Sequence, residues 1–209
     1  MTYRLQEILR MVIPGLYLII LLFVTLTFNG VIGLDKVQTF IKDCAAVIVL
    51  LLPFVGFVVG YIIECLLASL EHGWYFFGGR RPSKTILTGC KLYPLADIDT
   101  IKIDKKLAND VTNKACGKVL QTAKQKIDRS EVESFQYTSI LTRNLFGSQL
   151  LFTIFITFVL DKIGRAWLIT SLFLDLLFLI YWIHHNHIYV KYVLAEYIKI
   201  LTSESTKEV

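Results

Sequence analysis

Two carboxylates inside apolar runs are the residues of this sequence best placed to do chemistry. Glu64 stands in GFVVGYIIECLLASLEH, residues 56–72, and Asp175 interrupts an otherwise uncharged run at 166–183. An unpaired carboxylate in a low-dielectric setting is costly, so each needs a partner, a proton, a cation or water. Counted from the ends of their runs at about 1.5 Å per residue, their depths differ by a few ångströms, which lets them meet. The plainest reading is structural: each acid is protonated or hydrogen-bonded to Thr, Gln or Tyr and joins helices. The functional readings are an aqueous path lined by both acids, or a proton relay or catalytic pair.

The neighbours of these acids recur at helical spacing. Gly56, Gly60, Glu64, Ala68 and His72 lie four apart, as do Gln149, Thr153, Thr157 and Asp161, while Ser171 and Asp175 share a face with Trp182 further along. Glycines at this spacing let a second helix approach closely. Gly56, Gly60 and Ala68 are therefore a candidate packing or oligomer ridge. Glu64, Gln149, Thr153, Thr157 and Asp175 are candidate intramembrane polar or pore-lining residues, and all three ridges are expected to turn away from lipid.

His184 and His187 in HHNH lie three apart on one helical face and are weak metal candidates. The bland alternative places them against lipid headgroups, and only His72 stands elsewhere in the chain. No Ser/His/Asp set, glycine-rich phosphate loop or acid-rich alcohol-transferase motif is present. No catalytic residue, cofactor or resident metal is assigned, and an enzyme is disfavoured.

The elements that must position these residues are membrane spans. Hydrophobic residues make up 55% of the 209, only 19% are charged, and the mean hydropathy is +0.57. That is too apolar for an ordinary soluble domain of this length. Residues 11–34 and 44–63 are uncharged over 24 and 20 residues, and 144–160 and 166–183 supply two shorter runs of 17 and 18. Runs of this size suit a hydrocarbon core of about 30 Å. The first is longer than a signal-peptide core and lacks a cleavage pattern, so the mature chain is expected to begin near Met1. Of 22 Lys and Arg, eighteen lie before the first span, between the second and third, or after the fourth, against four in the remaining two loops. The positive-inside rule makes the richer side cytoplasmic, with both termini there. The four cysteines show neither a disulfide framework nor a zinc pattern.

The segment between the second and third spans is the cytoplasmic part. Gly78, Gly79 and Pro82 should end the second helix, with Arg80 and Arg81 at the membrane edge facing anionic headgroups. From 104 to 127 an amphipathic basic helix is expected. Leu107, Val111, Ala115, Val119, Leu120, Ala123 and Ile127 form its apolar stripe, and Lys114, Lys118 and Lys124 are partner- or membrane-binding candidates. The favoured reading packs the stripe on the rest of the cytoplasmic part; the other lays it on the inner leaflet. No surface aromatics are interleaved with the lysines, which argues against nucleic-acid binding. Ser130 and Glu133 form a capping box, opening a helix that should run into the third span. Ile98, Ile101 and Ile103 suggest a short strand, and Asp97, Asp99 and Asp104 read better as a solvated loop than as a metal site.

These elements make an all-α integral membrane protein with four transmembrane helices and a mostly helical cytoplasmic insert between the second and third. The expected division is 1–79 (first two helices), 80–143 (insert), 144–190 (last two helices) and 191–209 (cytoplasmic tail). Pro14-Gly15 opening the first span, GRRPSK closing the second, RNLFGS opening the third and the lysine-rich insert resemble small bacterial four-span anti-phage defence proteins. The groups in question are the accessory membrane protein beside type VI-B CRISPR nucleases and the membrane subunit of the Kiwa system. The resemblance implies a homo-oligomer in the bacterial inner membrane that changes permeability, or senses membrane events, when phage engages a cytoplasmic protein partner. It assigns no functional residue. A membrane anchor or sensor recruiting a soluble nuclease-type partner, and a small membrane enzyme or transporter, are the alternatives.

The topology is tested by cysteine labelling of intact cells from outside. A probe at Gly164 should be modified and one at Lys114 should not; the reverse pattern would invert the orientation.

Overall fold

The computed structural model describes residues 2–30, 32–76, 82–83, 113–127, 129–159 and 165–207. The described residues form five main helices joined by short turns, α1 (Thr2–Phe28), α2 (Leu34–Phe76), α3 (Asn113–Lys126), α4 (Arg129–Val159) and α5 (Arg165–Lys207), with no strand among them. Four contain stretches long and apolar enough to cross a membrane: Leu5–Phe28, Ile41–Gly73, Val132–Phe158 and Trp167–Tyr197. The short strand and the aspartates expected near 97–104, together with Arg80 and Arg81, fall outside the described residues.

The helices are longer than the apolar runs that announce them. At about 1.5 Å per residue, the 43 residues of α2 and of α5 each extend about 65 Å, twice a hydrocarbon core. The outer loop expected at 35–43 is instead the first turns of α2. No Gly or Pro interrupts the stretch before Pro53, and Asp35 in the first turn suits the positive end of the helix dipole. The connection from α1 therefore shrinks, and Gly30, with φ at 70°, makes the left-handed turn that closes α1. The expected tail at 191–209 is likewise helix as far as Lys207.

Contacts divide the chain into one unit of Met1–Ser69 with Tyr137–Trp182 and another of Leu70–Gln136 with Ile183–Val209. The unit boundaries at 69/70, 136/137 and 182/183 fall inside α2, α4 and α5. In the second unit, Ala123 and Ile127 pack with Val132, Tyr189, Val190, Val193 and Leu194, flanked by Leu120 and Ile200. The apolar stripe of the basic helix is thus internal where its side chains are described. Residues 104–112 of the expected helix lie outside the described residues, and α3 begins at Asn113.

The first unit is built on close helix approach. A Cβ on Gly60 would fall on the Met11 carbonyl, and one on Gly15 would fall on the Gly56 carbonyl. The Gly56/Gly60 ridge therefore seats α1 of the same chain, while Ala68, the other small residue of the ridge, is exposed. Gly147 of α4 meets α2 in the same way, with Leu67 Cγ at 2.8 Å and Ile63 Cγ2 at 3.1 Å from a Cβ placed there. Below these contacts Leu18, Ile63, Leu67, Phe152 and Ile156 form an apolar core.

Gly60→Ala should lower the melting temperature in detergent, because the added methyl meets backbone that cannot swing aside, a cost of about 1–3 kcal/mol. Gly73→Ala, where no atom lies within 4 Å, should leave it unchanged or raise it by helix propensity. Equal effects of the two would contradict the packing.

Candidate functional site: a polar seam in the first unit

Pro14 lies inside α1 and carries no N–H, so the Arg10 carbonyl one turn earlier loses its helical donor. Among apolar helices such a carbonyl needs a donor from elsewhere. Asn144 of α4 supplies it. Its Nδ2 donates to the Arg10 carbonyl at 3.2 Å, and the same nitrogen donates to Glu64 Oε2 at 3.3 Å. Asn144 is fully buried. One turn on, Ser148 Oγ donates to the Pro14 carbonyl at 2.9 Å.

Glu64 is also matched in charge. Its Oε1 lies 3.7 Å from an Arg10 guanidinium nitrogen and 3.9 Å from one of Arg143, with the three side chains between 12% and 20% exposed. The carboxylate consequently joins α1, α2 and α4. It does not sit with Asp175, whose surroundings are different.

Asp175 belongs to a second half of the seam, between α4, α5 and α1. Gln149 is fully buried, and its Nε2 donates to Ser171 Oγ at 2.9 Å. Tyr17 Oη donates to Gln149 Oε1 at 2.6 Å. Thr153 Oγ1 lies 2.6 Å from Ser171 Oγ and 3.1 Å from the Gln149 carbonyl. The Thr153 hydroxyl is close enough to Asp175 to bias it as a donor without completing a bond of good geometry, and Tyr17 lies within electrostatic reach. The residue is 8% exposed, and neither of its oxygens has a hydrogen-bond partner among the described residues. Edge-to-face packing of Tyr17 on Phe178, at 5.9 Å between centroids, and stacking of Phe146 on Trp182 at 5.8 Å hold α5 against this cluster.

The structure thus brings Gln149, Thr153 and Asp175 together with Ser171 and places Glu64 apart from them. Thr157, expected on the same ridge, is exposed, and its hydroxyl returns to the Thr153 carbonyl at 2.7 Å. Asp161 lies outside the described residues, and His72 is exposed. Arg10, Tyr17, Arg143, Asn144 and Ser148 join the site without having been singled out from sequence. Pro14 followed by RNLFGS was the available signal, since a proline inside an apolar helix demands a donor that this string can supply.

In the second unit His184 and His187 are half-buried on α5, with the His184 and His185 rings edge to face at 5.6 Å. Among the described residues no three His, Cys, Asp or Glu side chains are grouped to hold a metal. Lys124 is exposed as a residue, and its Nζ lies 4.8 Å from the centre of the Tyr189 ring. Desolvation there pushes its ammonium below the ordinary lysine range, with Glu71 acting in the opposite sense. Lys114 and Lys118 lie on α3, where their side chains are outside the described set.

Compared with protein-family models, curated proteins and solved structures, the chain matches none.

The role given to Asn144 is tested by a double-mutant cycle in detergent. Asn144→Ala should destabilise the parent by about 1–3 kcal/mol. In a Pro14→Ala background the helix can satisfy the Arg10 carbonyl itself, so the same change should cost at least about 0.5 kcal/mol less. Strict additivity would mean that the proline and the amide are unrelated.

Proposed function

We propose that the chain is an oligomeric effector of the bacterial inner membrane, with both termini cytoplasmic, that opens or gates a pore, or otherwise perturbs the bilayer. In this reading a cytoplasmic protein engages the second unit, in anti-phage defence of the kind its sequence resembles. The observation that carries the proposal is the continuity of α2, α4 and α5, each of which contributes residues to both units. α4 and α5, which contribute to the apolar cluster around Val193 and Leu194, also carry Gln149 and Asp175.

Exposed apolar side chains on α2 and α5, among them Val49, Leu50, Phe54, Ile169 and Phe173, supply surface for lipid or for further copies. The seam is closed by its own hydrogen bonds within one chain. Conduction on this reading requires the seam to part or several copies to assemble around a path.

One observation favours a second reading, that of a membrane anchor or sensor which recruits its partner without conducting. Glu64 is neutralised by two arginines, an arrangement suited to holding helices together rather than to lining water.

Planar-bilayer recordings and the membrane potential of cells induced to make the protein separate the two. An effector should give discrete conductance steps and depolarise cells. Silent bilayers together with unchanged membrane potential would remove the permeability reading and leave the anchor.

A further inference from the structure

We infer that Asp175, together with the Thr153 and Ser171 hydroxyls, forms a binding site for a single monovalent cation of the sodium class. The inference stands whether or not the chain conducts.

Nine-tenths of Asp175 is buried, and neither carboxylate oxygen has a hydrogen-bond partner among the described residues. Burying a carboxylate in this condition is costly unless something neutralises it. Ser171 lies four residues earlier on α5, and helical side chains lean toward the N-terminus, so the acid leans over the Ser171 turn. Thr153 flanks it from α4.

The protons around the acid have competing acceptors. Tyr17 Oη gives its proton to Gln149, and the Gln149 amide gives one to Ser171 Oγ. The single Thr153 proton has the Ser171 hydroxyl, the Gln149 carbonyl and the acid itself as alternative acceptors. When it is turned from the acid, the hydroxyls present oxygen lone pairs toward the carboxylate, which suit a cation.

The donor set also selects the ion. All donors are oxygen, which favours a hard ion over a soft one. A single carboxylate balances one positive charge, whereas a divalent ion would leave a net charge among apolar helices. Glu64, already matched by Arg10 and Arg143, adds no further negative charge to the pocket. When the acid is protonated, the entering cation displaces that proton to water, so cation and proton compete for one position.

The full chain in detergent would be melted over a sodium chloride series, with ionic strength held constant by choline chloride. Sodium should raise the melting temperature saturably by at least about 2 °C, as expected for a ligand that binds only the folded state. Choline should not. Below the pH at which the carboxylate ionises, one-for-one competition should weaken the half-saturating concentration about tenfold per pH unit. Asp175→Asn should abolish the sodium dependence, Ser171→Ala should weaken it at least threefold, and exposed Thr157→Ala should preserve it. Identical melting in sodium and choline would overturn the site, as would a sodium response that survives unchanged in both Asp175→Asn and Ser171→Ala. Melting that responds to pH but never to sodium would identify a protonated acid and also overturn it.

Discussion

The missing N–H of Pro14 is the constraint around which the first unit is organised. A proline in the second half of a surface helix would expose its orphaned carbonyl to water, but here the carbonyl of Arg10 lies among apolar helices. Asn144 has two amide protons and spends one on that carbonyl and the other on Glu64. The repair of α1 and part of the neutralisation of α2 therefore depend on one side chain of α4. The register of α4 is fixed against both helices at once, and the residues that follow inherit it: Gly147 comes down against Ile63 and Leu67, and Ser148 reaches the Pro14 carbonyl. Buried pairs of this kind are weak evidence for net stability, but a stranded charge costs about 3–5 kcal/mol and a stranded carbonyl about 1–3 kcal/mol. That penalty enforces a single arrangement.

α4 carries two polar stripes rather than one. Asn144 and Ser148 look toward α1 and α2, while Gln149 and Thr153 look toward α5 and Tyr17. The two acids Glu64 and Asp175 are divided between them and treated differently. Glu64 meets two guanidinium groups and an amide, so its charge is matched within the protein. Asp175 meets hydroxyls whose protons have other acceptors as well. One acid is thus matched by charge within the protein, and the oxygens of the other make no formed hydrogen bond among the described residues.

The small residues of α2 show the same economy of position. Gly56 and Gly60 face α1, and the polar contacts of Glu64 lie one turn further along the same ridge. Other surfaces stay uncovered within the chain, among them the exposed aliphatic and aromatic faces of α2 and α5. α4 and α5 also contribute residues to the apolar cluster of the second unit, Val132 from the one and Tyr189, Val190, Val193 and Leu194 from the other.

Composition and charge-free run length were enough to identify four membrane-length helices, since the demand for about 20 apolar residues is local. The i, i+4 spacing likewise placed Gln149 with Thr153, Ser171 with Asp175, and Gly56 with Gly60 and Glu64 on shared faces. The capping pattern put the start of α4 within a residue of where it lies. Helix ends were less legible, because apolar runs report where lipid contact is possible and not where backbone hydrogen bonding stops. Arg10 and Arg143 read as flanking charges that set orientation, and only the folded chain turns them inward to Glu64. Periodicity fixes which residues share a face of one helix, but it does not say which other helix that face meets. The partners of Glu64 and of the Arg10 carbonyl lie 80 and 134 residues away along the chain. Tertiary packing alone decided that Glu64 would be matched and Asp175 would not, because that choice depends on how four helices are rotated about their axes when their glycine faces close.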